Sequence, residues 1–182
     1  MVLLESLNLP LGSPALDFSL KGVDETNYSL GDFSESKVLV IVFMCNHCPY
    51  VQAVWPRLVA LQERFKEVQF VGINPNLNPA YPEETFEKMQ EYYERYKMNF
   101  PYLQDETQQV ALAYKAQCTP DMFVFDGARR LAYHGRIDDN WKDESAVTRE
   151  ELAEALEALL SGRPVSEHQN PTIGCSIKWR ND

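Results

Sequence analysis

The chain has 182 residues, 45% of them hydrophobic, enough to fill one core and too few for two. Lys and Arg number 17 against 27 Asp and Glu, and a net charge of −10 repels phosphate backbones and anionic lipid, so neither nucleic acid nor a membrane surface is an expected partner. No run is long enough to span a bilayer, and Met1 to Leu7, with Glu5 and no basic start, does not read as a signal peptide. The expectation is a cytoplasmic protein whose four cysteines cycle rather than staple.

Up to Phe33 the chain is rich in turn formers, and Ala15 to Leu20 alternates, which predicts an N-terminal β-hairpin. Val38 to Met44 is an uninterrupted apolar run and reads as a buried strand. From Pro49 to Phe65, Val51, Val54, Trp55, Leu58, Leu61 and Phe65 recur at the spacing of one helix face, with a bend expected at Pro56. Between strand and helix stands Cys45-Asn46-His47-Cys48.

That placement carries chemistry. Backbone N–H groups and the positive end of the helix dipole favour an anion there, and a thiolate is the species that attacks disulfides and peroxides. A cationic His47 beside Cys48 favours thiolate further, which stabilises the reduced dithiol and makes the couple more oxidising. Half a zinc site is the competing reading, but no second C-x-x-C and no H-x-x-x-H occurs, so neither metal nor cofactor is expected.

Further along, Val68 to Ile73 reads as a second buried strand, parallel to the first. A helix is predicted from Pro82 to about Met98, with Phe86, Met89, Tyr93 and Tyr96 as its apolar stripe. Asp105 and Gln108 resemble a capping box for a helix through Val110, Ala111 and Tyr114. Asp126-Gly127 turns a hairpin between Met122–Phe125 and Arg130–His134. Thr148 and Glu151 cap a last helix carrying Leu152, Ala155, Leu156, Leu159 and Leu160, stopped by Gly162 and Pro164. The tail beyond Pro164 has no clear period. Asp138-Asp139 reads as a solvated loop pair.

The dithiol at the head of the first core helix, together with Thr119-Pro120 before a later hairpin strand, resembles the thioredoxin fold. More narrowly, Asp105, Val110 to Tyr114, Thr119-Pro120-Asp121 and Phe123 to Asp126 are similar to the AhpC/TSA-type redoxins and the cytochrome-maturation thioredoxins. The likeness runs from about Leu16 to Leu160. It implies an α/β, thioredoxin-like fold in one domain, 1–182. A mixed central sheet would carry helices on both faces, with a hairpin extension at 1–33, a helical insertion at about 82–98 and a docked tail at 164–182.

By the same resemblance Cys45 attacks and is the more exposed thiol, while Cys48 resolves. Thr119-Pro120 carries a cis peptide, and the Thr119 backbone pairs with a substrate strand. Asn46 and His47 tune the dithiol. Expected partners are a disulfide-containing protein or small thiol substrate and a thiol redox partner. The chain departs from the pattern in three places. Met44 replaces the Trp before the first cysteine, Asn46-His47 stands in place of Gly-Pro, and the strand before Cys45 lacks a buried Asp. The proton acceptor is therefore open among other Glu or Asp residues and solvent.

Two readings of Cys118 and Cys175 stand side by side: auxiliary thiols brought near the dithiol, or small buried packing residues. Cys45, Cys48 and His134 also invite a copper(I) metallochaperone reading, although that group spaces its cysteines by three residues rather than two. The leading expectation is a thiol–disulfide oxidoreductase. A peroxide reductase comes second, because Val42 and Val38 fill the Thr and Pro positions that its P-x-x-x-T-x-x-C motif requires.

Overall fold

A computed structural model describes residues 3–7 and 9–180. The outermost residues of the expected extension and tail, 1–2 and 181–182, and Asn8 lie outside it. In chain order the strands and helices are β1 (Leu3–Glu5), β2 (Ser19–Gly22), β3 (Asn27–Ser29), β4 (Val38–Phe43), α1 (Pro49–Arg64), β5 (Val68–Asn74), α2 (Phe86–Arg95) and β6 (Tyr102–Gln104). After these come α3 (Gln109–Ala113), β7 (Cys118–Thr119), β8 (Asp121–Phe125), β9 (Leu131–His134), α4 (Glu151–Leu160) and β10 (Ile173–Ser176).

Seven strands form the main sheet in the order β3-β2-β6-β5-β4-β8-β9. β4 and β5 pair in parallel from Val38 opposite Val68 to Phe43 opposite Ile73, and β8 closes the other side of β4 antiparallel. The apolar run of β4 has the physical cause expected of a central strand covered on both faces. Val38, Val40, Val42 and Met44 pack with Val51, Val54, Trp55 and Leu58 of α1, Met89 of α2 and Leu152 and Leu156 of α4. Leu39, Ile41 and Phe43 pack on the opposite side with Ala111 of α3, Tyr114 and Phe123. Burying each such side chain contributes about 1.5–3 kcal/mol, and both faces of one strand collect it. The mixed thioredoxin-like sheet with helices on both sides is thus present.

Several boundaries differ from expectation. α2 begins at Phe86, because the Thr85 hydroxyl accepts the Lys88 N–H and caps it there; Pro82 to Glu84 remain in the preceding turn. The short strand β6 had no alternation long enough to announce it. α1 runs unbroken through Pro56, whose side chain is exposed, so the missing N–H falls on the outer face.

Asp105 caps α3 by accepting the Ala111 N–H at 2.8 Å, while Gln108 turns away to hold the tail. Thr148 does not cap α4; its N–H and hydroxyl bind Asp139 instead. Asp138 is buried and pairs with Arg57, the reverse of a solvated charge.

The tail is a strand. β10 pairs antiparallel with β1 on one side and β7 on the other, forming a second, three-stranded sheet. No helix of the described residues is long and apolar enough to cross a membrane.

Candidate active site

The dithiol loop hangs between the end of β4 and the start of α1. Met44 N–H still bonds Ile73 O, and Cys48 is the residue that opens the helix, with Pro49 as its first position. Between them Asn46 is fully buried and acts as the brace of the loop. Its amide donates to Glu83 O at 2.8 Å, its side-chain oxygen accepts the Tyr102 hydroxyl at 2.9 Å, and its carbonyl accepts from Gln52 at 2.7 Å.

His47 does not face the sulfurs alone. Its Nδ1 lies 2.5 Å from Glu84 Oε1, and its ring stacks on Tyr81. The same carboxylate accepts the backbone N–H groups of Asn46 and His47 and the Asn74 side chain. Glu84 is 2% exposed, a buried carboxylate held by the dithiol loop itself. Its negative charge is one of the influences that push the Cys45 thiol up. The expected electrostatic help from His47 is therefore spent on Glu84. Sequence reasoning missed Glu84 by placing it inside a helix; the signal was Thr85, a better cap than Pro82.

Thr119-Pro120 is a cis peptide at the far side of the dithiol. The Thr119 hydroxyl lies 3.2 Å from Cys45 Sγ, and the Thr119 carbonyl lies 3.2 Å from Cys48 Sγ. The backbone edge of Thr119 is already occupied, since Cys175 of β10 stands opposite it in the antiparallel ladder. With β10 in place no substrate strand can pair there, contrary to expectation. Cys175 Sγ lies 2.7 Å from Cys48 Sγ. Cys118, one residue before Thr119, has its sulfur 3.7 Å from Pro120 O, and its alternation points it to the opposite face from Thr119. Burial pushes the Cys118 thiol up, as befits a packing residue.

Cys45 is as buried as Cys48, both 0% exposed, so the expected difference in accessibility is absent. The two thiols are also shifted in opposite directions. Desolvation, first, and the contact with Cys48 raise Cys45. Cys48 is lowered, because Cys175 and then Cys45 offer it S–H donors and the Val51 N–H at the start of α1 adds to them, outweighing its own burial. Cys175 is raised by its contact with Cys48. The cluster thus favours negative charge on Cys48 over Cys45 and Cys175.

His134 takes no part. Its Nε2 lies 2.7 Å from Asp121 Oδ1 and its ring stacks on Phe123, in the core on the opposite face of the sheet from Cys45 and Cys48. The three-residue copper set is therefore not assembled. Cys45, His47 and Glu84 do offer ligand atoms within 4.8 Å of one another, but the Glu84 oxygens are already filled by N–H donors.

A dithiol at a helix start facing a cis-proline loop, on this sheet, defines a thioredoxin-fold redox protein. The AhpC/TSA family matches residues 11–134, and the chain belongs to it. It is similar over its whole length to an uncharacterized conserved protein from Geobacillus kaustophilus, at 45% identity and a TM-score of 0.94, covering 100% of this chain and 98% of that one. A hypothetical protein from Sinorhizobium meliloti 1021 aligns at 38% identity and a TM-score of 0.93, over 98% and 99% of the two chains. A secreted Mycobacterium tuberculosis disulfide oxidoreductase shares the fold at 20% identity and a TM-score of 0.61, over 78% of this chain and 96% of that one. No curated protein matches.

Proposed function

We propose that the protein is a thiol–disulfide oxidoreductase working through Cys45 and Cys48. The observation that carries this reading is the placement of both sulfurs at the start of α1 against one residue of the cis-proline loop, Cys45 Sγ 3.2 Å from the Thr119 hydroxyl and Cys48 Sγ 3.2 Å from the Thr119 carbonyl. The proton that Cys45 gives up goes to the departing substrate thiolate, and the Thr119 hydroxyl, 3.2 Å from Cys45 Sγ, is placed to bond that sulfur as it reacts. Cys45 attacks one sulfur of a substrate disulfide; a mixed disulfide forms and one substrate thiolate leaves with a proton. Cys48 then attacks the Cys45 sulfur, closing the Cys45–Cys48 bond and releasing the second thiol. Two electrons pass to the substrate.

Neither sulfur carries exposed surface and β10 fills the strand edge, so a small disulfide suits the site better than a folded protein. The partners are thus a low-molecular-weight disulfide and a thiol donor that restores the dithiol. Reduction of glutathione disulfide and of insulin by the full chain, with dithiothreitol as donor, tests this. Cys45→Ser should abolish turnover, and Cys48→Ser should accumulate a mixed disulfide. Equal turnover in both variants and the parent would discard the mechanism.

The burial of Cys45 also favours a second reading, reduction of a peroxide, the smallest oxidant of this class. Against it, Val42 and Val38 stand where the peroxidatic motif needs Thr and Pro. Arg57, on the dithiol helix, is committed to Asp138, Asn140 O and Trp141 O. Peroxide consumption faster than glutathione disulfide reduction would reverse the order of the two readings.

A further inference from the structure

We propose that Cys175 is a third redox-active thiol, to which the Cys45–Cys48 disulfide is passed internally. The inference deepens the thiol–disulfide reading and rests on it. Cys48 Sγ shares the Thr119 residue with Cys45, the other thiol of its own loop, and has Cys175 Sγ 2.7 Å away, brought to it from β10. A packing cysteine needs only apolar neighbours; this one is delivered to a specific atom by a held strand.

The holding is extensive. Gly174 allows β10 to lie against the Thr119–Pro120 peptide, where a β-carbon would stand 2.1 Å from Thr119 O. Beyond the strand, Ile177 N–H bonds Gln117 O at 3.0 Å and Lys178 N–H bonds the buried Asn76 side chain at 2.8 Å. Gln108 is buried and grips the same segment twice, donating to Lys178 O at 3.0 Å and accepting the Arg180 N–H at 2.8 Å. These contacts fix β10 in register with Cys175 opposite Thr119. The contact with Cys48 and burial push the Cys175 thiol up, and the Lys178 ammonium opposes that rise.

The exchange balances without an outside reagent. When Cys45 and Cys48 are joined, the Cys175 thiolate attacks Cys48 Sγ. The Cys48–Cys175 bond forms as the Cys45–Cys48 bond breaks, and the electron pair leaves on Cys45 Sγ. The proton given up by Cys175 is taken by Cys45. Nothing is oxidised or reduced overall; the disulfide has moved to the tail strand, and Cys45 is again a thiol. The disulfide then ties the start of α1 to β10, with both of its sulfurs still buried.

The test uses full-length Cys45→Ser protein, oxidised with diamide, denatured, alkylated and digested with trypsin. Cys48 lies in peptide 38–57 and Cys175 in peptide 150–178, because the Arg163-Pro164 bond resists the protease. The expected result is a cross-link between these peptides, with Cys118 alkylated, and its loss when Cys48→Ser is added. In the parent protein, glutathione disulfide should produce the same cross-link, and Cys175→Ser should abolish it. Three alkylatable thiols in oxidised Cys45→Ser would overturn the proposal, as would a cross-link that joins peptide 150–178 to the Cys118 peptide, 116–129, instead. If the parent reduces glutathione disulfide but no cross-link forms, the relay fails and the function stands. If the cross-link forms and no disulfide substrate is reduced, the pairing stands and the substrate reading falls.

Discussion

Gly174 lies so close to Thr119 that a β-carbon on it would stand 2.1 Å from the Thr119 carbonyl oxygen and 3.1 Å from Pro120 N. Both neighbours are backbone, which cannot swing aside as a side chain can. The strand that covers the dithiol therefore depends on one absent methyl group.

Gly174→Ala should force β10 off β7 at a cost of about 1–3 kcal/mol, the range for overpacking a tight contact. Cys48 would then react faster with iodoacetamide in the native protein. Urea unfolding and timed alkylation measure the two effects, and a variant with unchanged stability and alkylation would contradict the packing described.

Glu84 sets the second prediction. Its charge, close to Cys45, disfavours thiolate there. Glu84→Gln removes that charge, stabilises the reduced dithiol and makes the couple more oxidising; each unit by which the thiol pKa falls corresponds to about 30 mV. His47→Gly acts oppositely, because the carboxylate loses its ring donor and bears more strongly on Cys45. Midpoint potentials against glutathione should move in opposite directions. Shifts of the same sign would show that the His47–Glu84 contact does not act on the dithiol.

Asp138 and Asp139 are neighbours with different tasks. Asp138→Ala strands the buried Arg57 guanidinium with only carbonyl partners, which costs about 3–5 kcal/mol. Asp139→Ala loses bonds to Thr148 at the surface and should cost about 1 kcal/mol. Comparable unfolding midpoints in urea for the two variants would refute the distinction.

Asp121 gives a pH signature. Complete burial raises its carboxyl above the ordinary range despite the His134 contact. The folded chain then holds that proton at a pH where the unfolded chain has released it. The stability this group contributes is complete below the ordinary carboxylate pKa of about 4 and declines as pH climbs towards the raised value. In Asp121→Asn that decline disappears, so the variant should gain stability relative to the parent as pH rises through the window. Urea titrations at successive pH values measure it, and a constant difference would count against the shift.

Much of this molecule is legible in its sequence. Val38 to Met44 and the α1 stripe are strong because burial on a full face imposes a period, and the dithiol between them marks its own position. The Asp126-Gly127 hairpin is equally local. What escaped was settled by contacts between distant segments. β6 and β10 are too short to show alternation and exist because neighbours at β5, β2, β1 and β7 offer hydrogen bonds. Glu84 was misplaced by one competing cap. The accessibility of Cys45 was misjudged because nothing local to the dithiol reveals that residues more than a hundred positions later lie over it.

That last contact orders events during synthesis. A chain emerging from the ribosome completes β4 and α1 long before residues 173–176 appear, since elements made first are free to fold first. Until the final strand arrives, Cys48 lacks the cover that β10 supplies, so closing the site is the last step in building it.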